Sequence, residues 1–90
     1  MDLLRQELKD FLDGEDRLLV WPCGRKGRDL ALEYMASKFE TGRSYSLPEV
    51  NAIINRFHTF DQAAMLREKL FENGLLDSTS DGSEYWKVGP

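Results

Sequence analysis

Two apolar stripes separated by a few residues constrain this chain more than any other feature in it. Val50, Ile53, Ile54 and Phe57 fall at i, i+3, i+4 and i+7, the spacing of one face of an α-helix. After "HTF" a second set follows, Ala63, Leu66 and Leu70, which clusters within about 60° when residues advance about 100° each. Each stripe needs cover, and helices this close in sequence obtain it by crossing, as in a helix-turn-helix. The punctuation agrees with that reading. "SLPE", 46–49, has the form of a capping box, in which Ser46 accepts from the amide of Glu49 and Glu49 reaches back, while Tyr45 is placed to staple onto Val50. Pro48 is tolerated because the first helical turn has spare N–H groups. These signals predict a helix over about 47–58. Either Thr59 or Asp61 can cap the next, over about 61–73, and Gly74 suits the left-handed position after it, with Leu75 closing onto Leu70 in a Schellman motif.

The flanking segments complete an α+β pattern. Leu32, Met35, Ala36 and Phe39, widened by Leu30 and Ala31, predict a helix from about Gly27 to Phe39, broken by Gly42. "LLDSTSDGSEYWKV" contains two short apolar segments around "TSDGS", and Asp81–Gly82 is a strong hairpin turn. A small strand near 43–45 would make a third sheet member. The order is that of a winged helix: a three-helix helix-turn-helix core, residues 17–90, closed by a C-terminal β-hairpin wing. Ahead of it, residues 1–16 hold an extra amphipathic helix of about 2–12 with Leu4, Leu8, Phe11 and Leu12 on one side, ended by Gly14. "RLLVWP", 17–22, reads as a strand or an extended packing segment. Ninety residues, 41% of them hydrophobic, are enough for one core and too few for two.

Composition narrows the chemistry. One cysteine, Cys23, excludes an internal disulfide, and one histidine, His58, leaves no cluster for a transition metal. Neither residue has an assignable partner for thiol catalysis, so no catalytic, metal or cofactor residues are expected. His58 is expected as a partly exposed cap at a helix end. "GRKGR" lacks the arrangement of a nucleotide-phosphate loop. The N-terminus is acidic and amphipathic, unlike a signal peptide, and no run approaches the ~20 apolar residues of a membrane span. A cytoplasmic protein without membrane contact is expected.

Net charge is −4 and the sequence pI is about 4.9. The acidic excess lies in residues 1–16, with six acids against Arg5 and Lys9. On the helix over 61–73 the outward side is read as Asp61, Ala64, Met65, Glu68 and Glu72, an acidic face turned to any polyanion. Residues placed to contact nucleic acid are Arg25, Lys26, Arg28, Arg43, Arg56, Gln62, Arg67 and Lys69. Three of these lie in "GRKGR", 24–28, where the alternatives are phosphate contact and a solvated helix start. Cations there oppose the helix dipole and so need some other reason. The candidate association surface is Leu4, Leu8, Phe11, Leu12, Ala64 and Met65. The N-terminal stripe within it is covered either by its own domain or by a second copy. Trp21, Tyr85 and Trp86 are expected to pack the sheet against the helices.

From Trp21 to Val88 the sequence also resembles the bacterial domain of unknown function family 2087. "YMASKFETGRSYS", "EVN…RFH" followed by an Asp, "LRE.L…GLL" and "DGSEYW" carry the likeness over about three quarters of the chain. The resemblance implies a winged-helix fold and a setting in bacterial gene regulation, since such domains occur alone or joined to helix-turn-helix regulators. It implies no established activity. The chain departs from the family pattern at two positions: Glu68 and Ser78 stand where the family tends to have basic residues. The expected function is therefore a non-enzymatic module acting through a protein partner or self-association. Direct DNA binding, through the helix over 61–73 and the basic segment 25–28, is the alternative.

Overall fold

The computed structural model describes residues 3–89. Its helices are α1 (Leu3–Glu7), α2 (Arg25–Ala36), α3 (Leu47–Arg56) and α4 (Ala63–Glu72); its strands are β1 (Ser44–Tyr45), β2 (Leu76–Ser78) and β3 (Tyr85–Lys87). The strands form one antiparallel sheet in the order β1-β3-β2. The architecture is thus α+β, with the two C-terminal strands as a hairpin and the short strand before α3 on the far side of β3.

Local sequence accounts for most of these boundaries. The capping box is formed: Glu49 N–H donates to Ser46 Oγ at 3.2 Å and Ser46 N–H to Glu49 Oε1 at 2.9 Å. The amide of Ser46 holds the Glu49 carboxyl below its ordinary range. At the end of α4, Gly74 has φ +73°, Gly74 N–H donates to Phe71 O and Leu75 N–H to Leu70 O. That pair of bonds is the expected Schellman closure. Val50, Ile54, Leu66 and Leu70 are fully buried where the two stripes meet.

α2 is offset from its expected span of about 27–39. It begins two residues earlier because Gly24 is extended and Arg25 and Lys26 enter the first turn. It ends at Ala36, after which Lys38 N–H donates to Met35 O and Phe39 N–H to Ala36 O. These tightened turns still deliver Phe39 to the core, edge-on to Tyr45 with ring centres 5.2 Å apart. Gly27 is required by its neighbour: a Cβ there would lie 2.8 Å from Cβ of the buried Pro22.

The N-terminal segment packs on its own chain. The expected single helix divides into α1 and a 3₁₀ turn over Lys9–Phe11, and its start at about residue 2 lies outside the described residues. Leu8 is 0% exposed in the common core, and Leu4, Phe11 and Leu12 are half-buried against it. Polar bonds fix the connection. Tyr34 OH donates to Asp16 O at 2.8 Å, Arg5 pairs with Asp16 at 2.8 Å, and Arg17 N–H and Nε both donate to Asp13. The amide of Arg17, first among these contacts, keeps the Asp13 carboxyl below its ordinary range.

Leu18 is the extended packing residue of "RLLVWP". It bridges Leu12 on one side and His58 on the other: Leu18 N–H donates to Phe57 O at 2.8 Å and Thr59 N–H to Leu18 O at 3.0 Å. This interaction corrects two expectations. Thr59 is diverted to Leu18, its hydroxyl also donating there, and Asp61 takes a left-handed φ of 54°, so neither caps α4. α4 starts without a side-chain cap; His58 bonds the amide of the helix's N-cap residue Gln62, and it is buried at 4% exposure rather than partly exposed. Gln62 N–H donates to His58 Nε2 at 2.8 Å, so Nδ1 carries the proton and donates to Ile54 O at 2.7 Å.

One ring thus joins the last turn of α3 to the first of α4. His58→Ala should cost about 2–4 kcal/mol, because a cavity opens and the Gln62 amide loses its partner, while Ile54 O keeps only Phe57 N–H. Urea unfolding reads this as a lower midpoint, and a loss under about 1 kcal/mol would show the ring to be dispensable. Gly27→Ala should also destabilise, although the same change in an open helix gains up to about 1 kcal/mol.

Candidate functional site

α4 buries Leu66 and Leu70 and leaves Ala64, Glu68, Phe71 and Glu72 exposed. Glu68 and Glu72, four residues apart, stand on one outward face. Phe71 is 48% exposed, because it falls about 100° beyond Leu70 on the helix and misses the buried stripe. Against this face lies the hairpin. Between them runs a shallow groove of ≈ 330 Å³ lined by Arg67, Glu68, Phe71, Glu72, Ser78 and Tyr85. Both positions singled out as departures from the family pattern, Glu68 and Ser78, therefore line the same groove.

Arg67 lines the groove but is tethered to α3. Its Nη1 donates to Asn51 Oδ1 at 2.6 Å, which ties α4 to α3 and leaves the side chain half-buried. Lys69 pairs with Glu72 at 3.5 Å and turns towards α2 rather than the hairpin. Gln62 is exposed and gives its backbone N–H to His58. The groove thus presents two carboxylates and an exposed aromatic ring beside the tethered Arg67.

The remaining candidate cations are dispersed. Arg43 lies 3.4 Å from Glu40 and 3.6 Å from Glu49 and covers the Tyr45 ring. Arg56 is exposed at the end of α3 over Phe57. Lys26 is exposed on the first turn of α2. Arg25, Arg28 and Lys69 come together in a cleft between α2 and α4. The eight candidate nucleic-acid contacts do not form one strip.

The candidate association residues divide in the same way. Leu8 is inside the core, and Leu4, Phe11, Leu12 and Met65 pack against it. Ala64 alone of the six is exposed. Phe71, which the sequence reading did not single out, is the large apolar side chain on the outward face. A helical wheel carries the signal, since an aromatic off the buried stripe has nowhere to go but outward.

Trp21 and Tyr85 pack against the core as expected. Trp86 does not share that face: β3 alternates, and its register neighbours Ser44 and Asp77 flank Trp86 on the side opposite Tyr85. Cys23 is exposed beside the α2–α4 cleft. His58 offers no free ring nitrogen, since both are bonded to backbone groups. Among the described residues, no helix is long and apolar enough to cross a membrane.

The hairpin tip is organised around Asp81. Thr79 Oγ1 donates to Asp81 Oδ1 at 2.8 Å and Ser83 N–H to the same oxygen at 3.0 Å, while Ser83 N–H and Glu84 N–H also reach Thr79 Oγ1. Gly82, φ +71°, makes the turn. The tip carries acid and no base.

A family described as "Uncharacterized protein conserved in bacteria (DUF2087)" matches residues 17–87. The chain belongs to this family. No curated protein and no solved structure matches it.

The tip makes a pH prediction. Hydrogen bonds from Thr79 first, then Ser83, lower the Asp81 pKa from 3.8 to about 2. A depressed carboxyl contributes its bonds fully above 3.8 and loses them as pH falls through about 2. Carboxyl-carbon NMR should give a midpoint near 2, with the Ser83 and Glu84 amides moving alongside; an ordinary midpoint would mean the tip is not held by Asp81.

Proposed function

We propose that this family member works as a non-enzymatic interaction module of the bacterial regulator type, binding a protein through the groove between α4 and the hairpin. The observation that carries this reading is Phe71, half exposed between Glu68 and Glu72 beside Tyr85. An exposed aromatic in a groove is the usual anchor of a protein contact, and truncating such anchors costs about 2 kcal/mol or more of binding. The carboxylates select against nucleic acid, because duplex affinity rests on cations that displace phosphate counterions. They favour instead a partner segment that brings Lys or Arg around an apolar side chain.

Two further features support the reading over direct DNA contact by α4. Arg67 is tethered to Asn51, and the hairpin tip offers Asp81 where a phosphate contact would need a cation. Self-association by the N-terminal stripe has less support, since Leu8 is buried at home. An enzymatic role has none in the Cys23 and His58 pair, because both ring nitrogens of His58 are occupied.

The test is affinity capture from nuclease-treated bacterial extract, comparing the natural chain with Phe71→Ser and Glu68→Lys. Both substituted positions are exposed, so folding should survive. The natural chain should retain a protein that Phe71→Ser loses by tenfold or more, on the order of an anchor residue's contribution. Equal retention by Phe71→Ser, or tight binding of mixed-sequence duplex with a steep salt dependence, would overturn the proposal.

A further inference from the structure

We propose that the cleft between the start of α2 and the end of α4 binds a small phosphate-bearing anion, gripped by Arg25, Arg28 and Lys69. The cleft has a volume of ≈ 420 Å³, within the ordinary range for a small-ligand site. Three cations from two helices line it against one carboxylate, Asp29, in a chain whose net charge is −4. It lies apart from the groove between α4 and the hairpin, and the inference does not depend on that groove's partner.

The cations are differently held, and the difference matters. Pro22 is buried against Gly27, which fixes the preceding loop to the first turn of α2. Arg28 Nε donates to Pro22 O at 2.7 Å, and its guanidinium carbon lies 5.5 Å from the centre of the Trp21 ring. With Nε and one face engaged, Arg28 is oriented in advance, and its terminal Nη groups have no partner among the described residues. That arrangement gives one arginine of "GRKGR" a structural reason. Arg25 has no such reason: it faces the cleft, makes no ion pair among the described residues, and sits in a helical turn that contains no acid.

Two adjacent cations at the positive end of a helix repel both the dipole and each other. A bound dianion removes that repulsion, and a planar guanidinium matches paired phosphate oxygens better than any other side chain. Lys69 supplies the opposite wall. Its 3.5 Å pair with Glu72 is exposed and therefore weak enough to be exchanged for a ligand. A small phosphate ester suits a concavity of this size, whereas a duplex needs an extended strip of cations that Lys26, Arg43 and Arg56 do not continue from it.

Titration of the full chain with pyrophosphate, followed by amide and indole NMR, tests the site. Saturable shifts are expected at the Trp21 indole N–H and the amides of 25–28. Arg25→Ala, which removes no hydrogen bond or ion pair among the described residues, should weaken binding about tenfold or more, whereas Phe71→Ser should leave it unchanged. A mixed-sequence duplex at matched ionic strength is the second arm. Absent or unsaturable shifts, equal affinity in Arg25→Ala, or tighter binding of the duplex than of pyrophosphate at these residues would each overturn the assignment.

Discussion

The exposed surfaces of the C-terminal half take their direction from His58. Its protonated Nδ1 satisfies a carbonyl of α3 and its Nε2 satisfies an amide of α4, so the ring fixes how one helix leaves and the next begins. Beside it, Leu18 gives its amide to Phe57 and its carbonyl to Thr59, closing the same turn from the other side. A backbone turn this tight leaves groups without a helical partner, and any that are buried unpaired would be costly. The two residues remove that cost, and the rotation of α4 follows from them. Leu66 and Leu70 point in, and Glu68, Phe71 and Glu72 point out.

Leu18 also explains how the segment outside the family match becomes part of the core. The match begins at residue 17, yet Leu8 is fully buried with residues of α2, α3 and α4. An extended residue with bonding groups on both edges can join two neighbours, and Leu18 bridges Leu12 as well as His58. The acidic N-terminal segment is thereby held against α2, with Leu8 in the core and Leu4, Phe11 and Leu12 packed on it. Its charge falls on arginines nearby, through Arg5 to Asp16 and Arg17 to Asp13.

Charge is divided between two sides of α4. One side carries Glu68, Phe71 and Glu72, facing the hairpin, while Lys69 reaches another side to join Arg25 and Arg28. Adjacent positions on a helix lie about 100° apart, so a run such as "REKLFE" distributes its charges to different neighbours. Read as a linear string, the run has nearly balanced sign. Folded, it contributes an acidic aromatic groove on one side and a cationic wall on the other.

What the sequence determined by itself is whatever depends on contacts within a few residues: the capping box at Ser46, the Schellman closure at Gly74, the Asp81–Gly82 turn and the stripes that bury Val50, Ile54, Leu66 and Leu70. Helical spacing also placed Glu68 and Glu72 outward, because their angle to the buried stripe is a local quantity. Tertiary structure alone decided the rest. Thr59 could cap a helix in isolation, but Leu18, far away in sequence, takes its hydrogen bonds, and α4 starts without a side-chain cap. Arg67 reads as a free cation until α3 brings Asn51 to it. Arg25, Arg28 and Lys69 share a cleft only because α2 crosses the end of α4, and strand register sets Trp86 on the face opposite Tyr85. Hydrogen-bond partners and charge neighbours drawn from distant segments are fixed by chain crossing, and no local pattern encodes where the chain will cross.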